Sequence, residues 1–211
     1  AIVTPFKADG SVDFDAYKKL IDFQIENGTD CIISCGTTGE ASTLKDDEHI
    51  ETVAFAVSCA NKRVPVIAGT GSNDTEHGIS LTKRAYKAGV YGCLVVPPYY
   101  NKTSQRGLIE YFTAMAKSVD IPIMLYNVPS RTGINIQPKT VFELCSKVDN
   151  ITAIKEASSD IVQIGEIAAL CEGKIDIYSG NDDQIVPILA LGGKGVVSVL
   201  ANVVPRQTHD L

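Results

Sequence analysis

Apolar residues along the chain fall into short unbroken runs, separated by longer stretches in which they recur every three or four positions. The runs, rich in Val, Ile, Leu and Cys, are Ala1 to Thr4, Cys31 to Cys35, Val64 to Ala68, Gly92 to Val96, Ile121 to Tyr126, Ile151 to Ile154, Ile175 to Tyr178 and Gly195 to Leu200, and they predict eight β-strands. Helical periodicity covers Phe14 to Asn27, Asp46 to Ala60, Thr75 to Ala88, Gln105 to Val119, Pro138 to Lys147, Ile161 to Cys171 and Gln184 to Leu191. Several of these stretches carry end signals: Ser42-Thr43 ahead of Asp46 and Asp47, Pro138 at a first turn, and the stops Gly28, Gly89 and Gly173.

Strands that are apolar on both faces and alternate with helices read as a parallel sheet covered by helices. With eight of them, an α/β fold of the closed (β/α)8 TIM-barrel type is the first expectation, and a doubly wound open sheet the second. Against the open sheet, no G-x-G-x-x-G follows the first run; Gly69-Thr70-Gly71 follows the third and lacks the later glycine. No linker, low-complexity stretch or composition break interrupts the pattern, so residues 1–211 are expected to form a single catalytic barrel. Ala1-Ile2-Val3 opens inside a run, and His209-Asp210-Leu211 stops where a helix would be starting, so both ends read as cuts.

One residue is out of place in this pattern. Lys155 follows Ile151, Thr152, Ala153 and Ile154 in a buried strand, where Ile151, Ala153, Lys155 and Ala157 share a face. An amine desolvated in that way drops in pKa from about 10.4 and can act as a neutral nucleophile able to form a Schiff base. The alternative at this point is structural, an ion pair with a carboxylate such as Glu156 at the end of the strand.

Composition narrows the field. At 45% hydrophobic and 21% charged, with mean hydropathy +0.08, the chain reads as a soluble globular protein. A net charge of −6 and a pI near 5.1 provide no basic footprint for nucleic acid or an anionic membrane. No apolar run approaches the roughly 18 residues of a membrane span, and no secretory signal opens the chain, so a cytoplasmic protein is expected. The six cysteines, 31, 35, 59, 93, 145 and 171, read as buried thiols rather than a disulfide framework. There is no C-x-x-C, and His49, His77 and His209 show no ligand spacing, so no metal dependence is expected.

A barrel places its chemistry at the C-terminal ends of its strands, and unusual polar residues gather there. Gly36-Thr37-Thr38-Gly39-Glu40 offers hydroxyls and open backbone suited to a carboxylate, or simply a helix cap and turn. Pro97-Pro98-Tyr99-Tyr100-Asn101 presents two phenols on a stiff turn. Tyr126 closes an apolar run, with Arg131 in the loop beyond it, either as solvated surface or as a fork for a carboxylate. Ser179-Gly180-Asn181-Asp182-Asp183 and the run containing Val197 complete the ring. Together these suit covalent catalysis on a 2-oxo acid, in which the iminium draws electrons so that the adjacent carbon can lose a proton.

Gly36-Thr37-Thr38-Gly39-Glu40, Val64 to Gly71, Pro98-Tyr99-Tyr100-Asn101, Tyr126 to Gly133 and Ile154-Lys155-Glu156-Ala157 resemble the dihydrodipicolinate synthase family of pyruvate-dependent class I aldolases, over the whole chain. The resemblance implies a cytoplasmic lyase that condenses pyruvate with L-aspartate 4-semialdehyde in lysine and diaminopimelate biosynthesis. It implies Lys155 as the Schiff-base residue, with no cofactor beyond that covalent pyruvate imine, and Tyr126, Thr37 and Tyr100 as a proton relay in which Tyr100 reaches a neighbouring subunit. It further implies Thr37 and Thr38 on the pyruvate carboxylate, Arg131 on the semialdehyde carboxylate, the backbone of Gly180 and Val197 along the pocket, and a homotetramer built as a dimer of dimers. Members usually continue into a C-terminal helical domain that this sequence lacks. Ser159 replaces a common glycine. Feedback-inhibited members bind lysine between subunits, near His49, Asn73 and Tyr99. Here His77 stands where an acid is expected and Asp46 where a histidine is, which predicts weak or absent inhibition by lysine. The rival within the superfamily is a retro-aldol lyase acting on N-acetylneuraminate or a 2-keto-3-deoxy sugar acid; Thr37 and the S-R-T-G setting of Arg131 favour the synthase. From another class, a barrel that only binds would leave these catalytic positions without a purpose.

Overall fold

In the computed structural model, which describes residues 1–211, the apolar runs form seven strands: β1 (Ile32–Ser34), β2 (Val66–Gly69), β3 (Gly92–Val95), β4 (Ile123–Asn127), β5 (Ile151–Glu156), β6 (Asp176–Ser179) and β7 (Gly195–Val196). They pair in chain order, each with the next and always parallel. Parallel neighbours require a crossover. The helices supplying it are α2 (Asp46–Ala60), α3 (Thr75–Lys87), α4 (Gln105–Lys117), α5 (Pro129–Thr132) with α6 (Pro138–Lys147), α7 (Ile161–Cys171) and α8 (Ile185–Ala190), while α1 (Phe14–Glu26) precedes the sheet and α9 (Pro205–His209) follows it.

Local chemistry sets most helix starts. The side chains of Asp13, Asp74, Ser104 and Asp160 accept from first-turn amides of α1, α3, α4 and α7, each cap contributing about 1 kcal/mol. Pro138 opens α6 at a position where its missing N–H costs nothing. The signal at Ser42-Thr43 fails, because Ala41–Thr43 closes into a separate 3-10 turn and α2 starts after Lys45 with no side-chain cap. Asp46, Asp47 and Glu48 in its first turn complement the helix dipole instead.

Two expected strands change. Ala1 to Thr4 forms no strand: the Ile2 amide donates to Ile33 O at 3.2 Å on one side, and the Ala1 amino group to Ser198 O at 3.0 Å on the other. One bond to each neighbour is too few for a ladder. The last run pairs only through Gly195–Val196, because the Asp182 carboxylate takes the amides of Val199 (3.2 Å) and Leu200 (3.0 Å) and turns the chain into a 3-10 segment.

The core has two layers. A cluster of 28 buried residues fills the space between strands and helices. On the other face of the sheet, Ile33, Ile67, Leu94, Met124, Tyr126, Ala153, Ala157 and Val197 pack together. Lys155 alternates with Ala153 and Ala157, so the pleat turns its stem toward this inner layer. No helix is long and apolar enough to cross a membrane.

Candidate active site

Lys155 and Tyr126 are register partners in adjacent parallel strands, with Asn127 and Glu156 paired one step on. The Lys155 Nζ lies 4.2 Å from the centre of the Tyr126 ring, and only 4% of the residue is exposed. Lys155 makes no ion pair, and Glu156 turns to the opposite side of the strand, so the structural alternative is not realised. Burial pushes the amine from near 10.5 down to about 8; Asp182 opposes the shift and Arg131 assists it. An amine at about 8 is neutral in roughly a tenth of molecules at pH 7, against fewer than one in a thousand for an unperturbed lysine. Gly180 leaves room for the lysine stem: a β-carbon there would stand 3.1 Å from Lys155 Cε and 2.7 Å from Ala157 Cβ.

Thr37 is carried on a turn that leaves β1 through Cys35, a buried residue held at φ 52°. A left-handed conformation is costly for a residue with a β-carbon, and such strain gathers where a loop must take one shape. The turn is clamped from β2. A β-carbon on Gly69 would stand 2.2 Å from the Cys35 carbonyl oxygen, so only glycine permits the approach. Burial raises the Tyr126 phenol above its ordinary range, offset by the Arg131 guanidinium and by the Thr37 hydroxyl.

Arg131 lies on α5, a short helix rather than the expected loop, opened by Pro129 and closed by Gly133 at φ 69°. Proline at the first turn and glycine just past the end are the signals that could have revealed it. Thr37, Tyr126 and Arg131 line one cavity of about 340 Å³ with Leu94, Val128 and Thr132. Neither Lys155 nor Gly180 lines this cavity; Lys155 adjoins it only through its contact with the Tyr126 ring.

Not every expected residue joins them. Thr38 is half-buried and does not line the cavity. Tyr100, at φ 69°, is 90% exposed and does not line it. Val197 lies in the inner apolar layer, its amide donating to Ser179 O at 2.7 Å, and it borders a second space of about 620 Å³ with Ile33, Ile67 and Met124. Also lining the first cavity, His77 Nε2 donates to Asp46 at 2.9 Å while its Nδ1 lies 3.0 Å from Ser72 Oγ. His49 bonds Gly69 O at 2.9 Å, and burial lowers its pKa. No group of three or more His, Cys, Asp or Glu side chains is arranged to hold a metal ion.

Comparison with known proteins places this chain in a family. A sequence model of the Dihydrodipicolinate synthetase family matches residues 1–211. The 4-hydroxy-tetrahydrodipicolinate synthase of Lachnoclostridium phytofermentans is 64% identical over 211 residues, all of this chain and 72% of that protein. The crystal structure of dihydrodipicolinate synthase from Aquifex aeolicus superimposes with a TM-score of 0.97 at 48% identity, covering 100% of this chain and 71% of that one. The Acinetobacter baumannii dihydrodipicolinate synthase complexed with pyruvate gives a TM-score of 0.97 at 42% identity, over 100% of this chain and 72% of that one.

Proposed function

The chain belongs to the dihydrodipicolinate synthetase family, and we propose that it carries out the family reaction through a Schiff base on Lys155. The protein is a lyase of lysine and diaminopimelate biosynthesis, joining pyruvate and L-aspartate 4-semialdehyde into 4-hydroxy-tetrahydrodipicolinate with loss of one water. The family needs neither a metal nor an external cofactor.

The observation that carries the mechanism is the desolvated Lys155 amine set 4.2 Å from the Tyr126 ring. The neutral amine attacks the pyruvate ketone and water leaves, forming the imine. Its conversion to the enamine requires removal of a methyl proton. Tyr126 and Thr37, joined by Tyr100 from a neighbouring subunit, relay protons for that step and for attack on the semialdehyde. Thr37 and Thr38 hold the pyruvate carboxylate, the backbone of Gly180 and Val197 lines its pocket, and Arg131 receives the semialdehyde carboxylate with its planar fork.

Residues 1–211 act as one catalytic unit, a closed (β/α)8 barrel in which Ala1 to Thr4 is the eighth stave, supported by its bonds to Ile33 and Ser198. Self-association into a dimer of dimers and a cytoplasmic location complete the reading. Borohydride reduction in the presence of pyruvate, followed by peptide mapping, tests it. The peptide containing Lys155 should gain the reduced pyruvate, and labelling at another lysine overturns the assignment.

A further inference from the structure

Glu156 has 0% exposure, follows the Schiff-base lysine and faces away from it. Its carboxylate has no cationic partner. Oε1 accepts from Asn127 Nδ2 at 2.6 Å and Gln163 Nε2 at 3.3 Å; Oε2 accepts from the Ser158 hydroxyl at 2.6 Å and the Ser158 amide at 3.2 Å. Burial raises its pKa, and the bonds from Ser158, Asn127 and Gln163 draw it back down. A carboxyl group held in a dry interior by neutral donors alone is a costly choice for a strand that needs only to pack.

The cost is matched by what the bonds reach. Asn127, also fully buried, donates to Asn135 Oδ1 at 2.8 Å and accepts from the Ile136 amide at 2.9 Å. Asn135 in turn donates to Gln163 Oε1 at 2.6 Å. The segment clipped in this way leaves α5, the helix that carries Arg131. The backbones of the same two residues tie three strands together: the Ala157 amide donates to Asn127 O at 2.8 Å and the Gly180 amide to Glu156 O at 2.6 Å. The Asn127–Glu156 pair therefore lies back to back with the Tyr126–Lys155 pair, linked to Gly180 and to the segment after Arg131.

We propose that the buried Glu156 carboxylate, latched to Asn127 and Ser158, is a positioning residue that holds Lys155, Tyr126 and the Arg131 segment in their reactive arrangement. It touches no substrate and acts only through its neighbours. The inference rests on the reading of Lys155 as the Schiff-base residue.

Glu156→Gln in the full-length protein provides the test, since it keeps the shape and replaces one acceptor with a donor that meets either Asn127 Nδ2 or the Ser158 amide, both of them donors. Misplacement of reacting groups by a fraction of an ångström to an ångström costs about 10- to 100-fold, and the kcat of this variant should fall by that amount. The KM for semialdehyde should rise more than that for pyruvate, because only the former depends on Arg131. The pH midpoint of pyruvate trapping by borohydride should move upward from the wild-type value, as a loosened Lys155 regains water. The double variant Asn127→Asp/Glu156→Gln restores a carboxylate–amide pair with the roles exchanged and should recover part of the rate. Ser158→Ala removes the hydroxyl bond to Glu156, together with the one that the hydroxyl accepts from the Asp160 amide, without altering charge, and should shift the trapping midpoint in the same direction by a smaller amount should Glu156→Gln fail to fold. A folded Glu156→Gln, or in its absence Ser158→Ala, with wild-type kcat and trapping midpoint overturns the latch. Wild-type protein that traps no pyruvate on Lys155 overturns the mechanism beneath it.

Discussion

At the scale of single residues, Lys155 is held in a way that helps chemistry and costs stability. Its folded pKa of about 8 lies below the ordinary 10.5. Below pH 8 both folded and unfolded chains hold the proton, and the folded state bears the full cost of a buried charge. Between 8 and 10.5 the unfolded chain binds the extra proton, so unfolding becomes harder as pH rises and the cost is relieved. The shift corresponds to about 3 kcal/mol. Lys155→Met should therefore trap no pyruvate yet be more stable than wild type to urea at pH 7, by up to about 3 kcal/mol, with the gap narrowing toward pH 10. Equal or lower stability of the methionine variant at pH 7 would show that the lysine is well solvated. For the wild type, borohydride trapping at fixed pyruvate should rise with pH through about 8 as the amine loses its proton.

At the scale of elements, glycines separate close approach from idle flexibility. Gly69 ends β2 against the Cys35 carbonyl, where a β-carbon would stand 2.2 Å from the oxygen. Gly69→Ala must push the turn bearing Thr37 away, costing about 1–3 kcal/mol in urea titration and weakening pyruvate trapping together with stability. Gly165, in the middle of α7, has nothing nearer than Leu191 Cδ2 at 4.0 Å around its would-be β-carbon. Gly165→Ala should stabilise by about 0.5–1 kcal/mol through helix propensity and leave trapping unchanged. If the two variants behaved alike, the approach of β2 to the Thr37 turn would have no mechanical role.

At the scale of the whole molecule, the proposed role of Tyr100 is a matter of subunit assembly. The residue is 90% exposed and outside the cavity that holds Thr37, Tyr126 and Arg131, and the proposed relay has it serve the site of a neighbouring subunit. Tyr100→Phe and Lys155→Ala should each be nearly inactive. Refolded together in equal amounts, they should recover about a quarter of wild-type activity, because half of the random dimers pair the two variants and each of those restores one site of two. No recovery from confirmed mixed dimers would confine Tyr100 to its own subunit. The same scale bears on regulation. His77 is engaged by Asp46 at 2.9 Å and Ser72 at 3.0 Å, so the position expected to hold a ligand amine carries an imidazole already satisfied within the chain. Free lysine should inhibit weakly or not at all, and sub-millimolar inhibition in a coupled assay would contradict this.

Periodicity and residue chemistry alone determined the alternation of strands and helices, to the residue at α2, α6 and α7, and the anomaly at Lys155. Those are local matters: apolar period, a proline or glycine at a helix end, a cation in an apolar run. The strand expected at Ala1 to Thr4, the shortening of β7 by the Asp182 carboxylate and the helix under Arg131 depended on partners far along the chain or on competing turns. The direction of Glu156 followed from strand alternation, whereas its bonds to Asn127, Ser158 and Gln163 required β4, β5 and α7 to be packed together first. Sequence places a side chain on a face, and only tertiary packing supplies the donors it meets there, because hydrogen bonds and desolvation are set by distances of a few ångströms that spacing along a chain does not encode.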